Sequence, residues 1–188
     1  MENILFIDAC VRENSRTRCL AHYVLSKLQG QVRTCHLEQE PLLPLNAARL
    51  AQRDACIAAG DYSDTMFRWA KDFAAADTVV IAAPYWELSF PSLLKIWIEN
   101  IAVTGLTFAY GPNGPVSLCH AKRLVYVTTA GGPIFADLGF AQVEALSQRF
   151  FHIDCLRQYS AENLDIIGAD VASLLNEVKA RIDADDWQ

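Results

Sequence analysis

Asn3-Ile4-Leu5-Phe6-Ile7-Asp8 and Thr78-Val79-Val80-Ile81-Ala82 are short, almost unbroken apolar runs. A strand with one wet face alternates apolar and polar residues, so runs of this kind suit strands buried on both faces of a parallel sheet. Outward from the first run, residues 15–28 place Cys19, Leu20, Tyr23, Val24 and Leu28 at helical spacing and stop at Gly30. Residues 31–37 read as a second strand and 63–75 as a helix before the second quoted run. A further helix starts near Pro91, with Leu93, Leu94, Trp97, Ile98 and Ile101 on one side. Residues 123–128, 136–151, 153–159 and 170–182 then read as strand, helix, strand and helix. Five strands alternating with five helices specify an α/β doubly wound five-stranded parallel sheet with helices on both faces, because parallel neighbours need crossovers.

The chain has 188 residues, 52% of them hydrophobic, which fits one domain over residues 1–188 with a continuous core. The net charge of -6 and pI near 5.1 disfavour nucleic acid or an anionic membrane as partner. No apolar run reaches the roughly 18 to 20 residues that span a bilayer, and Met1-Glu2-Asn3 leads directly into a strand, so a cytoplasmic protein is expected. Cys10, Cys19, Cys35, Cys56, Cys119 and Cys155 are scattered, as are His22, His36, His120 and His152. That dispersal predicts free thiols and no metal site.

Doubly wound sheets bind ligands beyond the carboxyl ends of their strands, where the winding order reverses. After the first strand comes Cys10-Val11-Arg12-Glu13-Asn14-Ser15-Arg16-Thr17. A helix N-terminus opening at Ser15 and Thr17 offers free N–H groups and positive potential, to which Arg12 or Arg16 add donors, so a phosphate fits there. Ser15 as an ordinary N-cap reads equally well. After the third strand, Pro84-Tyr85-Trp86-Glu87-Leu88 forms an aromatic loop able to border a planar ring, or simply to pack. After the fourth, Thr128-Thr129-Ala130-Gly131-Gly132 lets backbone approach a ligand edge, as any Gly-rich turn does. The conjunction of the three loops carries the argument. Residues 38–60 and 105–115, both containing prolines, resist regular assignment and read as long binding or contact loops.

Three segments sharpen this reading: Ala-Ala-Pro followed by Pro-x-x-Leu-Lys over residues 82–95, Gly-Leu-Thr-Phe-x-Tyr-x-x-x-Gly-Pro over 105–115, and Thr-Thr-Ala-Gly-Gly. On these the chain resembles the FMN-dependent NADH azoreductases and NAD(P)H-quinone oxidoreductases of the flavodoxin-like fold. The resemblance implies FMN as cofactor, NADH or NADPH as electron donor, and a quinone-like or azo aromatic acceptor reduced by ping-pong hydride transfer. It places the FMN phosphate at Ser15, Arg16 and Thr17, and the flavin against Pro84, Tyr85, Trp86, Glu87 and Leu88. The ring's far edge falls at Thr128, Thr129, Ala130, Gly131 and Gly132. The flavin carries the chemistry, so no catalytic side chain is implied. Trp86, Leu88 and residues 107–110 are expected as walls of the acceptor pocket, and a homodimer is implied.

The sequence departs from that pattern at three positions. Ala9 stands where those enzymes often have Ser, Glu87 where they usually have Asn, and Ala130 where they often have Arg. A carboxylate beside the flavin would disfavour an anionic reduced ring. Two rival readings stay open: a non-enzymatic flavodoxin-like electron carrier, and a low-molecular-weight phosphatase-like enzyme using Cys10 and Arg16, which match its C-x5-R spacing. The phosphatase reading lacks a Gly in the loop and an Asp-Pro dipeptide for the general acid.

Overall fold

The computed structural model describes residues 1–187 and places five parallel strands side by side. In chain order the elements are β1 (Glu2–Asp8), α1 (Arg16–Leu25), β2 (Gly30–His36), α2 (Ala47–Ala59), α3 (Arg68–Ala75), β3 (Thr78–Ala82), α4 (Ser92–Ile101), β4 (Phe108–Gly111), β5 (Gly114–Ser117), β6 (Arg123–Thr129), α5 (Leu138–Leu146), β7 (Cys155–Ala161) and α6 (Val171–Ala184). The main sheet runs β2-β1-β3-β6-β7, all parallel, with Phe6 opposite Val80 and Val80 opposite Val125. The winding reverses between β1 and β3.

Period-two alternation sorts the central strands into two apolar faces. Leu5, Ile7, Val79, Ile81, Leu124 and Tyr126 pack with Trp69, Phe73, Trp97, Ile101 and Val143 of α3, α4 and α5. Ile4, Phe6, Val80, Val125 and Val127 pack with Leu20 and Val24 of α1 and Val178 and Ile182 of α6. Both faces of β3 are covered, which is why Thr78–Ala82 has no alternation to read.

Three expectations need correction. Residues 38–60 are not loop throughout: α2 occupies Ala47–Ala59, capped by Asn46 and ended by a left-handed Gly60, and the irregular stretch is 40–46. None of its residues is buried, but Cys56 and Ile57 on one face pack half-buried against Met66, Phe67, Ala70 and Val103. It reaches the body through Arg49 to the Asn100 side chain (3.5 Å) and Arg53 to the Glu99 carbonyl (3.2 Å). Residues 105–115 are not irregular either, since β4 and β5 pair there as a short antiparallel hairpin. The last strand begins at Cys155 rather than Ile153, because α5 passes into a π turn over Ser147–Phe151 that ends at a left-handed His152. Helix α4 begins at Ser92 with Pro91 as its N-cap residue, as expected for a helix starting near Pro91. Gln188, the last residue of the expected domain, lies outside the described residues.

Candidate functional site

The even-numbered side chains of β1 point toward α1, so the row Ile4, Phe6 continues into Asp8 beneath the first turn of that helix. The Asp8 side chain is wholly out of solvent. It accepts from Arg18 Nε at 2.5 Å and from the Cys10 N–H at 3.0 Å, and stands 3.0 Å from His36 Nδ1. Burial pushes the Asp8 carboxyl up, but the Arg18 and Cys10 bonds outweigh it and hold the group below its ordinary 3.8. Ser15 caps α1, accepting from the Arg18 N–H at 3.2 Å.

Beyond the carboxyl ends of β1, β3 and β6 lies a cavity of about 330 Å³. Its walls include Ser15, Arg16, Thr17, Pro84, Tyr85, Trp86, Thr129, Ala130 and Gly131, so the three separate loops do converge. The Thr17 and Thr129 hydroxyls are bonded at 2.7 Å, tying the first loop to the third. Glu87, Leu88, Thr128 and Gly132 do not line this cavity. Thr128 is buried on the strand face shared with Tyr126, and the Gly132 carbonyl accepts from the Asn163 N–H at 3.0 Å.

Two wall residues, Leu164 and Asp165, escaped the sequence reading. They follow β7, about as far from Arg16 as the chain permits. Arg16 Nη1 donates to Asp165 Oδ1 at 2.7 Å and to the Leu164 carbonyl at 3.1 Å, closing the rim between the first loop and the last. Asp165 also explains Gly131. A Cβ on that glycine would fall on the Asp165 carboxylate, while the Asp165 N–H donates to the Gly131 carbonyl at 2.8 Å. The residue must be small for a neighbouring loop as well as for any ligand. Their place in the strand-to-helix loop after the last parallel strand, at the carboxyl end of the sheet, is the signal that could have found them.

The aromatic loop is shaped by its backbone. Trp86 and Ser89 exchange both main-chain hydrogen bonds, at 3.0 and 2.8 Å, around Glu87 and Leu88, whose φ angles are +45° and +64°. Two consecutive positive φ values mark a type I′ turn, which favours Asn and Gly. The Tyr85 N–H donates to the Thr129 carbonyl at 3.0 Å and its hydroxyl to the Ala136 carbonyl at 2.9 Å, holding this loop against the third. Glu87 is exposed at the tip. Of the expected acceptor walls, Thr107 and Phe108 are buried. The Thr107 hydroxyl donates to the Ile101 carbonyl at 2.7 Å, and Tyr110 alone of that stretch is open to solvent.

The same geometry removes the phosphatase reading. Cys10 is buried, its thiol faces the Ala82 carbonyl at 3.7 Å, and burial pushes it up to about 12, with Asp8 adding to the shift. A thiol in that state is no nucleophile at neutral pH. Among the described residues no cluster of three His, Cys, Asp or Glu side chains is placed to hold a metal ion.

With the sheet order and the loop convergence established, comparison with known proteins gives a direct result: a family model for the flavodoxin-like fold matches residues 2–184. The chain belongs to that family. Among its relatives, the FMN-dependent NADH:quinone oxidoreductase of Clostridium perfringens (strain SM101 / Type A) is 29% identical over 187 residues, covering 94% of each chain. That of Stenotrophomonas maltophilia (strain K279a) is 38% identical over 140 residues, covering 71% of this chain and 69% of the relative. The azoreductase from Bacillus anthracis str. Sterne superposes with a TM-score of 0.82 at 20% identity, over 97% of both chains. An FMN-dependent NADH-azoreductase from Bacillus anthracis str. Ames Ancestor, solved in complex with FMN, gives 0.80 at 17% identity, over 96% of both chains. At these identities the superpositions bear on the fold. Membership of the flavodoxin-like family agrees with the resemblance read from residues 82–132.

Proposed function

We propose that the protein is an FMN-dependent NAD(P)H oxidoreductase that reduces small quinone-like or azo aromatic acceptors. The observation that carries this is the cavity at the β1/β3 reversal, because its donors suit the two ends of a flavin mononucleotide. At one end stand Ser15 and Thr17 and the N-terminus of α1, with Arg12 and Arg16 adding positive charge, a set suited to a phosphate dianion. At the other, Pro84, Tyr85 and Trp86 offer apolar surface, and Ala130 and Gly131 offer main chain to a ring edge. The residues present fit the cofactor. They are also the match expected if residues 1–188 act as one FMN-binding domain.

Bound there, FMN would supply hydride acceptance from a nicotinamide and delivery to the acceptor, in turn at one open face. The chain's own residues bind and orient. Ser15, Arg16 and Thr17 would hold the phosphate, the Tyr85 backbone and hydroxyl bonds fix the loop beside the ring, and Trp86 limits the space over it. Beside the aromatic loop, Phe135 is 83% exposed and Leu138 57%, and the Leu138 N–H donates to the Leu88 carbonyl at 2.9 Å. That surface supports a homodimer with the acceptor site near the subunit contact. No helix among the described residues is long and apolar enough to cross a membrane.

The test is spectroscopic. Protein reconstituted with FMN should show flavin bands that bleach under anaerobic NADH or NADPH and return on adding a quinone. Failure to bind FMN overturns the reading. Binding with negligible nicotinamide turnover makes the protein an electron carrier instead.

A further inference from the structure

Arg18 lies on α1 but serves the loop before it. Its Nη1 donates to the carbonyls of Arg12 (2.9 Å) and Glu13 (3.0 Å), its Nη2 to the carbonyl of Cys10 (2.5 Å), and its Nε to buried Asp8. One guanidinium therefore gathers three loop carbonyls onto the side facing the sheet, and a buried carboxylate fixes the guanidinium. In a trans peptide the C=O and the following N–H point in opposite directions. With the carbonyls of Cys10, Arg12 and Glu13 turned to Arg18, the N–H groups of Val11, Glu13 and Asn14 are turned away from it. Among the described residues no backbone carbonyl accepts from the N–H groups of Val11, Glu13 or Asn14. The loop is thus presented with its donors free, at the rim of the cavity that Val11, Arg12 and Asn14 line.

We infer that Asp8 and Arg18 are positioning residues for the cofactor phosphate: they never touch it, and they set the peptide planes of residues 10–14 so that main-chain donors converge on it. The inference rests on the phosphate lying at the N-terminus of α1, as proposed above. It accounts for a loop without glycine. Backbone cradles for phosphate commonly rely on Gly to reach the necessary conformation, whereas here a fork of five fixed N–H donors holds ordinary residues in place. It also accounts for the identity of residue 18. Lysine could keep the charge against Asp8, but a compact ammonium cannot bond three carbonyls and a carboxylate in one plane.

The test compares FMN with riboflavin, which differs only by lacking the phosphate, in the full chain by fluorescence titration. Wild-type protein should prefer FMN strongly. Arg18→Lys and Asp8→Asn should each lose about tenfold of that preference, the size of one charge-assisted hydrogen bond, while riboflavin affinity stays within about threefold, since no ring contact is touched. Arg18→Met should lose more, and if it fails to fold the two conservative variants decide. A wild type that binds FMN and riboflavin equally overturns the phosphate placement itself. A wild-type preference that survives in Arg18→Lys and Asp8→Asn overturns the positioning role and leaves the phosphate placement standing. Equal loss of both ligands overturns the positioning role too, because it marks general collapse of the site.

Discussion

Two walls of one cavity are held in shape by opposite means. The loop after β1 is locked from beneath by half-buried Arg18, which pairs with buried Asp8 and consumes the loop's carbonyls. The turn from Trp86 to Ser89 is closed by two main-chain bonds, and its central residues, Glu87 and Leu88, adopt a backbone that suits neither. The first wall should resist change because loss of Arg18 strands the buried Asp8 carboxylate and frees three loop carbonyls at once. The second carries strain that a better turn residue would relieve.

The largest expected effect breaks the first wall. Arg18→Met leaves Asp8 buried without its counter-charge and should cost about 3 kcal/mol of folding stability. Denaturant unfolding measures it, and the double change Asp8→Asn with Arg18→Met should cost less than Arg18→Met alone. A double variant no more stable than the single one would mean that the stranded charge is not the cause. Next comes the joint between the first and last loops. Gly131→Val sets a branched side chain onto the Asp165 carboxylate and should displace the partner of Arg16, costing roughly 1 to 3 kcal/mol by overpacking. FMN retention should fall with it, and unchanged retention would remove the 131 backbone from the binding site.

The smallest steady-state effect sharpens the second wall. Glu87→Asn should stabilise the fold by up to about 1 kcal/mol, because Asn tolerates the left-handed region that costs other residues. A loss of stability would show that Glu87 makes a contact its exposed position hides. The pH dependence separates the walls once more. Asp8 is held below its ordinary 3.8 when folded, so its contribution is present above that value and is lost as pH falls through the lower folded one. Stability should therefore drop on the acid side of pH 4, less steeply in Asp8→Asn than in wild type, whereas Glu87→Asn should leave that acid limb nearly parallel to wild type.

The difference between the walls also tracks what could be read in advance. The doubly wound sheet was legible because Ile4 to Ile7 and Val79 to Ala82 are buried on both faces, and continuous apolar runs record that directly. Helix α2 was not legible, because its apolar face is only half-buried, with Cys56 and Ile57 against Met66 and Phe67, and it follows the polar, Pro-containing stretch of Pro41 and Pro44. Its caps, Asn46 and Gly60, were the surviving signal. The β4/β5 hairpin was likewise present in sequence as Asn113-Gly114 between Tyr110 and Val116, but its strands are too short for alternation to register. Thr107 looked like a pocket wall and is instead a buried anchor, since a hydroxyl's role depends on which carbonyl stands beside it.

The sequence by itself determined the five-stranded alternation, the carboxyl-end loops that meet at the reversal of winding, and the family resemblance that names FMN as the matching cofactor. These rest on local runs and spacings of residues. The tertiary structure alone decided that Arg18 faces inward to three carbonyls, that Asp165 comes across to Arg16 and forbids a side chain at Gly131, and that Glu87 lies at the tip of a turn. Each of those depends on contacts between groups that chain distance does not relate, and a hydrogen bond or a close approach leaves no period in the sequence by which it could be read.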